Sequence, residues 1–520
     1  MVVSMNTQTV ESPIDRSDEL KGYANELAAA QKRLQAPASD LAILLNLILK
    51  KSITRDQICD LLEKSWTHLQ NLRAILSSLS QTDTEDATFA KLLTAASNAA
   101  RTGESFSLAK VRGFLEEADS LFSETSGDTT PRAALAEAHA LISHLEREYE
   151  SAAEYYRTAA TVSTDDDQLQ WRYQSQRAVA LCDLGRESLD NDALLAAIDL
   201  YETIAAELTD EVNDPKRWAK TQAGLGNALG ILGQRQQGTH QLEQSIASYR
   251  QALKAQSPEH SAAEWATTQN GLGNALGILA HRQKDAEMLE QSLQAFEQAL
   301  EVRTQEHYAW EWATTQNNLG SILQAIGQQK KDQQLLKRAV DAYKQVLLVW
   351  TRDQAPLHWA TTFNNLGTAL RLLGEKRKGP RTLEQSVAAY QNALAERARD
   401  WVPQQWAMTQ NNLGTALQKL GERSESVQPF KDAISAYQNA LKEWTQESSP
   451  ITWAMTAANL AFAQKSLAER LGDAGTAGLA LSQLEAVAKV FREASHAQYY
   501  EHATEQIAKT RELLQALEAN

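Results

Sequence analysis

The sequence predicts an all-α protein, a solenoid of stacked helical hairpins, and three observations carry that expectation. Tryptophan recurs every 47 residues, at Trp171, Trp218, Trp265, Trp312, Trp359, Trp406 and Trp453. The text around these positions repeats too: WAKTQAGLGNALGILG starts at Trp218, WATTQNNLGSILQAIG at Trp312 and WAMTQNNLGTALQKLG at Trp406. Apolar residues inside each unit keep helical spacing, and strand-like alternation appears nowhere. One such hairpin cannot bury its apolar face alone, so neighbours must stack.

The first helix of a unit shows itself when offsets are counted from its Trp at 100° per residue. The Trp, Leu at +7, Leu or Ile at +11 and the apolar residue at +14 fall within about 40° of one another. In the unit at Trp312 they are Leu319, Leu323 and Ile326. A Gly at +15 (Gly233, Gly327, Gly374, Gly421) stands where a helix C-cap is expected. A second amphipathic stretch follows, such as LEQSIASYRQAL from Leu242. Its marks are an aromatic at +31 (Tyr249, Phe296, Tyr343, Tyr390, Tyr437) and a small residue at +34, with Val346 the exception.

Along the chain, residues 1–19 read as a mobile tail and 20–122 as an N-terminal helical region. Residues 133–170 fit a shorter unit with Ala152, Tyr156 and Ala159, and 171–470 form the array of 47-residue repeats. Residues 471–520 read as capping helices. SQTDTEDAT from Ser80 and SETSGDTTP from Ser123 read as loops.

Composition narrows the function. The chain has 520 residues, with 51 Lys and Arg against 66 Asp and Glu, a formal charge of −15. That balance weighs against general nucleic-acid binding, which needs basic patches to neutralise phosphates. Cys59 and Cys182 are the only cysteines, with no CxxC pair; they suit a reducing compartment and read as packing residues. No basic stretch followed by an apolar one marks a secretory signal. The most apolar run, Leu41 to Leu49, is about half the length of a membrane span and reads as a core helix. The expectation is a cytoplasmic protein with no membrane contact.

At this point the repeats resemble the tetratricopeptide repeat family. Leu225-Gly226 of a first helix pair with Ser245, Tyr249 and Ala252 of a second, and Leu366-Gly367 pair with Ser386, Tyr390 and Ala393. The resemblance runs over roughly residues 133 to 470. A period of 47 in place of about 34 resembles longer-repeat relatives such as kinesin light chain. The resemblance implies a right-handed superhelix whose first helices line a concave groove.

Several constellations imitate active sites. Gly224, Gly226 and Gly230 form GxGxxxG, repeated at Gly271, Gly273 and Gly277. A phosphate loop needs its glycines between strand and helix; these fall mid-helix, where they permit close packing. His139 with His144, and His496 with His502, lack the spacing of a metal site. Paired carboxylates such as Glu116-Glu117 are ordinary helix surface. The basic stretch around Lys376-Arg377-Lys378 reads as a solvated loop. The sequence nominates no catalyst, metal or cofactor.

The functional candidates lie opposite the Trp/Leu stripe. At +5 stand Asn270, Asn317, Asn364 and Asn411, and at +6 Asn318, Asn365, Asn412 and Asn459. At +9 are Asn227, Asn274, Ser321, Thr368 and Thr415, and at +2 Thr267, Thr314 and Thr361. An ordinary solvent face would carry Glu and Lys, better helix formers than Asn or Thr. A carboxamide offers donor and acceptor together, so it can pair with a passing peptide backbone whatever its side chains. The same offsets match the ligand-contacting positions of the resembled family. Arg371, Lys419 and Lys465 at the groove edge suit an acidic peptide. The structural alternative is that the amides bond to the neighbouring repeat. The leading expectation is a non-enzymatic scaffold for a peptide or protein partner; a ligand-responsive sensor and a self-associating array are its rivals.

Overall fold

The computed structural model describes residues 23–50, 58–81, 87–101, 107–121, 130–208 and 214–519. The expected tail, the stretch 122–129, most of the loop before Ala87 and the Cys59 side chain lie outside the described residues. Among the described residues the fold is all-helical, with 22 helices and no strand. Two compact units form, one from residues up to Asp183 and one from nearly all residues from Leu184 onward.

The first unit contains α1 (Ala24–Leu34), α2 (Ala38–Ile48), α3 (Ile58–Leu79), α4 (Ala87–Ala99), α5 (Leu108–Leu121), α6 (Thr130–Leu145), α7 (Tyr149–Thr161) and most of α8 (Asp167–Ser188). The apolar run of α2 is core: Leu41, Leu44, Leu45 and Ile48 are fully buried. They share one cluster with Leu62, Leu69, Leu72 and Leu76 of α3. Ala152, Tyr156 and Ala159 of α7 are buried as the shorter repeat requires. Two buried polar side chains are tied down: Asp40 accepts from Arg73 at 3.0 Å, and Arg147 donates to the Ile48 carbonyl at 3.0 Å.

His68 and His144 stack in this unit with ring centroids 4.5 Å apart, beside the Lys64–Asp183 ion pair (3.1 Å). Burial lowers His68 to about 4 and His144 to about 3. The unfolded chain binds protons at these rings near pH 6.5, whereas the folded chain does not until much lower pH. Their neutral burial therefore costs stability progressively as pH falls from about 6.5 toward 4. Thermal melts at descending pH should show this loss, and His144→Leu should flatten it; an unchanged slope in that variant refutes the assignment.

The second unit opens with α9 (Asn191–Glu207), then pairs helices as hairpins. These are α10 (Pro215–Arg235) with α11 (His240–Lys254), α12 (Ala262–Gln283) with α13 (Ala286–Val302), and α14 (Ala309–Gln329) with α15 (Gln333–Val346). Next come α16 (Pro356–Glu375) with α17 (Arg381–Glu396), α18 (Pro403–Gly421) with α19 (Gln428–Ala440), and α20 (Pro450–Leu471) with α21 (Ala474–Glu493). A final α22 (Ala497–Glu518) packs on α21. The ring at +31 closes the first five of these hairpins against the Gly at +8: a Cβ on Gly226, Gly273, Gly320, Gly367 or Gly414 would sit 2.8–2.9 Å from it. Beside it, Ser245, Ser292 and Ser386 donate to the carbonyls of Gly226, Gly273 and Gly367 at 2.6–2.7 Å.

Two sequence expectations need correction. The Gly at +15 does not cap its helix in left-handed geometry. α10 and α14 run on to Arg235 and Gln329, and Gly233, Gly327 and Gly374 are small because a Leu at +24 approaches within 2.9–3.1 Å of a would-be Cβ. The left-handed residues come later, at Lys284, Lys331 and Gly472, each followed by an aspartate (Asp285, Asp332, Asp473) whose carboxylate caps the second helix. Likewise, the Trp ladder is not the centre of the core. Trp265 is buried, but the other six are half-buried, and Arg352 and Arg399 lie over Trp359 and Trp406 at 5.7 Å. The +31 rings Phe296, Tyr343, Tyr390 and Tyr437 are fully buried.

Tyr343→Ala should therefore cost about 3–5 kcal/mol as a buried large-to-small change, and Trp312→Ala less. Circular-dichroism melts decide it: a larger loss in Trp312→Ala means the ladder, and not the +31 ring, carries the core.

Candidate binding face

The first helices of the second unit present offsets +2, +5, +6, +9, +12 and +13 away from their buried stripe. Most of the predicted residues are brought together there, but chiefly with one another. Each Asn at +6 donates to the Asn at +5 of the preceding repeat: Asn318 to Asn270 at 3.4 Å, Asn365 to Asn317 at 3.3 Å and Asn412 to Asn364 at 3.2 Å. Asn459 reaches Asn411 at 3.5 Å. Asn364 also donates to Asn365 at 3.4 Å and is itself buried. The amides thus form a ladder across consecutive first helices, which uses one polar atom of most of them.

The hydroxyls at +9 face inward in part. Ser321, Thr368 and Thr415 bond the hydroxyls of Tyr343, Tyr390 and Tyr437 at 2.9–3.2 Å, across each hairpin. Burial drives these phenols above their ordinary range, so they stay neutral. Thr267 and Thr361 at +2 accept from Arg303 and Arg397 at 2.9 Å. The same guanidiniums reach Thr315 and Thr409 of the next repeat at 2.9 and 2.8 Å. Both arginines are buried, and burial pulls Arg303 below its usual range.

The edge cations are engaged locally: Arg371 pairs with Glu375, and Lys419 with Glu422 at 2.8 Å. Asn227 is exposed and, with Asn270 and Asn274, lines a recess of about 240 Å³ between α10 and α12. Asn274 and Asn318 line a larger one of about 570 Å³ between α12 and α14. Toward α20 the +2 position turns apolar, with Met408 and Met455 39% and 43% exposed. The face can thus offer amide and hydroxyl groups, two recesses and an apolar end.

The glycines that imitate a phosphate loop are packing sites, as expected. A Cβ on Gly224 or Gly271 would lie 2.6 Å from the ring of Tyr201 or Tyr249. Among the described residues no group of three or more His, Cys, Asp or Glu is placed to hold a metal, and no helix is long and apolar enough to cross a membrane.

Sequence reasoning missed the arginine at +17. Arg235, Arg282, Arg423 and Arg470 each reach back to backbone carbonyls at the end of the preceding first helix: Gly185 (2.8 Å), Gln234 (3.0 Å), Glu375 (2.9 Å) and Gly421 (3.5 Å) respectively. A cation there satisfies orphan carbonyls and meets the negative end of the helix. The 47-residue spacing of these arginines was there to be read. The paired reading of the amides is open to a double-mutant cycle. Asn364→Ala and Asn412→Ala should show a coupling of about 0.5–1.5 kcal/mol in unfolding free energy; additive losses would mean that the two amides do not interact.

Comparison with known proteins agrees on the repeat. A search of curated sequences found no match. The chain is similar in fold to the apo form of RapI, at 13% identity over 82% of this chain and 98% of that one (TM-score 0.42). A Rap protein complexed with competence and sporulation factor matches at 13% identity over 75% and 100% (TM-score 0.39). The TPR2AB domain of yeast Sti1 in complex with an HSP90 peptide matches at 18% identity over 64% and 99% (TM-score 0.21). The tetratricopeptide repeat model matches residues 312–348 and 406–447. These segments are tetratricopeptide repeats, and the same residues recur at the 47-residue period through the units around them.

Proposed function

We propose that the protein is a non-enzymatic scaffold that holds a peptide or protein segment along the first-helix face of its second unit. One observation carries this reading. In the six repeats from Trp218 to Trp453, offsets +2, +5, +6, +9, +12 and +13 hold no Asp or Glu, on a chain whose acids outnumber its bases by 66 to 51. Lys220, Arg371, Lys419 and Lys465 are the charged residues at these offsets. A face stripped of carboxylate suits a partner bearing acidic side chains and repels it least.

The amide ladder does not compete with this role. At +6, Asn318, Asn412 and Asn459 each give an N–H to the ladder and keep an oxygen as acceptor for a backbone laid across the helices. Met408 and Met455 add adaptable apolar contact at one end. We place the protein in the cytoplasm on its sparing use of cysteine. End-to-end self-assembly is the weaker reading, because α22 leaves Glu501, Glu505, Lys509 and Glu512 exposed, a charged surface that disfavours apolar stacking.

The test is selection of 12-residue peptides from a displayed random library, followed by fluorescence anisotropy. Selected peptides should be rich in Asp, Glu and apolar residues. A Met408→Glu/Lys419→Glu/Met455→Glu variant should lose at least about tenfold in affinity, equivalent to roughly 1.4 kcal/mol, at unchanged melting temperature. Peptides without acidic bias, bound equally by that variant, refute the reading.

A further inference from the structure

The recess between α12 and α14 is built by what its repeat lacks. Its volume of about 570 Å³ falls in the size range of small-molecule sites. Offset +12 is Gly277 here, and a Cβ on it would come within 2.8 Å of the Ile322 Cδ1. Any side chain at that position would thus enter the space between the helices. The later repeats fill the same offset with Gln324, Arg371, Gln418 and Lys465. The +31 ring is Phe296 in this repeat and Tyr in the four other repeats from Tyr249 to Tyr437, so this wall carries no hydroxyl.

Three features define an occupant. Phe296, Ile278, Ile322 and Ala325 offer apolar surface to a flat hydrophobic body. Gln324 lines the recess, and its Oε1 is buried without a hydrogen-bond partner among the described residues, so a turn of the side chain would present it to an N–H or O–H donor. The basic residues on the lining are His281 and Lys284, and no Asp or Glu lines it. We propose that this recess binds a small amphiphilic carboxylate: a planar apolar body, one hydroxyl or amide donor for Gln324, and an acid directed to Lys284. This goes beyond peptide binding and does not rest on it.

The experiment uses the full chain and three probes, 3-phenyllactate, 3-phenylpropan-1-ol and 2-phenylethylamine, read by isothermal titration and ligand-observed NMR at millimolar concentration. The acid should bind best, the alcohol less well and the amine least. Lys284 is left-handed, with φ 56°, which Asn accepts. Lys284→Asn should accordingly weaken the acid about threefold and leave the alcohol unchanged. Ala325→Met and Asn274→Leu fill the space from opposite walls, and each should abolish binding of the acid. Circular dichroism checks that each variant stays folded, and whichever filling variant does so decides the case. No acid binding by the unaltered chain, an amine that binds as well as the acid, or acid binding that survives a folded filling variant overturns the proposal.

Discussion

Everything in the repeat array hangs on an aromatic ring lying on a glycine. Gly in a helix interior costs about 1 kcal/mol relative to Ala, yet five consecutive repeats keep it at +8, because the ring at +31 passes where a Cβ would stand. The approach fixes the pairing of the two helices, and it also drags a tyrosine hydroxyl inside. A buried hydroxyl needs a partner, and Ser321, Thr368 and Thr415 supply one from the neighbouring helix. Part of the polar character of the first-helix face is therefore imposed from within, by the phenol behind it.

That dependence explains what could be read from the chain and what could not. Hairpins, their markers and the all-helical class were legible because seven copies repeat one signal. In the N-terminal unit the signal thins to the shorter unit with Ala152, Tyr156 and Ala159 and to Trp171, so upstream of them only helicity and the core role of Leu41 to Leu49 could be read. The Gly at +15 looked like a cap because a C-terminal Gly usually is one; only the position of Leu242, Leu336 or Leu383 shows that it makes room. The ladder Trp looked like the core because it is large and periodic, but all except Trp265 are half-buried, and Trp359 and Trp406 carry an arginine over the ring. Asn at +5 and +6 stood out as poor helix formers, and the spacing left open whether they bond a ligand or the neighbouring repeat. Their partners stand 48 residues apart, one period plus one, and side-chain direction across two helices is not written in spacing.

The ladder also recasts the choice between binding and stacking. Asn318 and Asn412 each hold two repeats in register through an N–H while keeping an acceptor oxygen, so one side chain can serve both ends. Thr368 is different: with its hydroxyl between Tyr390 and the Asn364 carbonyl, it is mainly a support. The positions most available to a partner are Asn227 and the recess around Asn274 and Asn318, at the glycine-rich end, and the methionines at the other.

The arginines at +17 are unevenly distributed. They bridge the joints that precede α10, α12, α18 and α20, whereas the corresponding residues for α14 and α16 are Gln329 and Lys376. Those two joints carry exposed ion pairs instead, Lys330 with Glu290 and Arg352 with Glu396, which contribute little in water. In a solenoid stabilised by nearest neighbours, the joints on either side of α14 and α15 are held from inside instead: buried Arg303 ties Thr267 to Thr315, and one apolar cluster runs from Leu289 through Leu323 and Val340 to Leu370. Consecutive joints of one array are thus closed by different chemistry, with arginines on helix-end carbonyls at four of them and side chains within the stack at the other two.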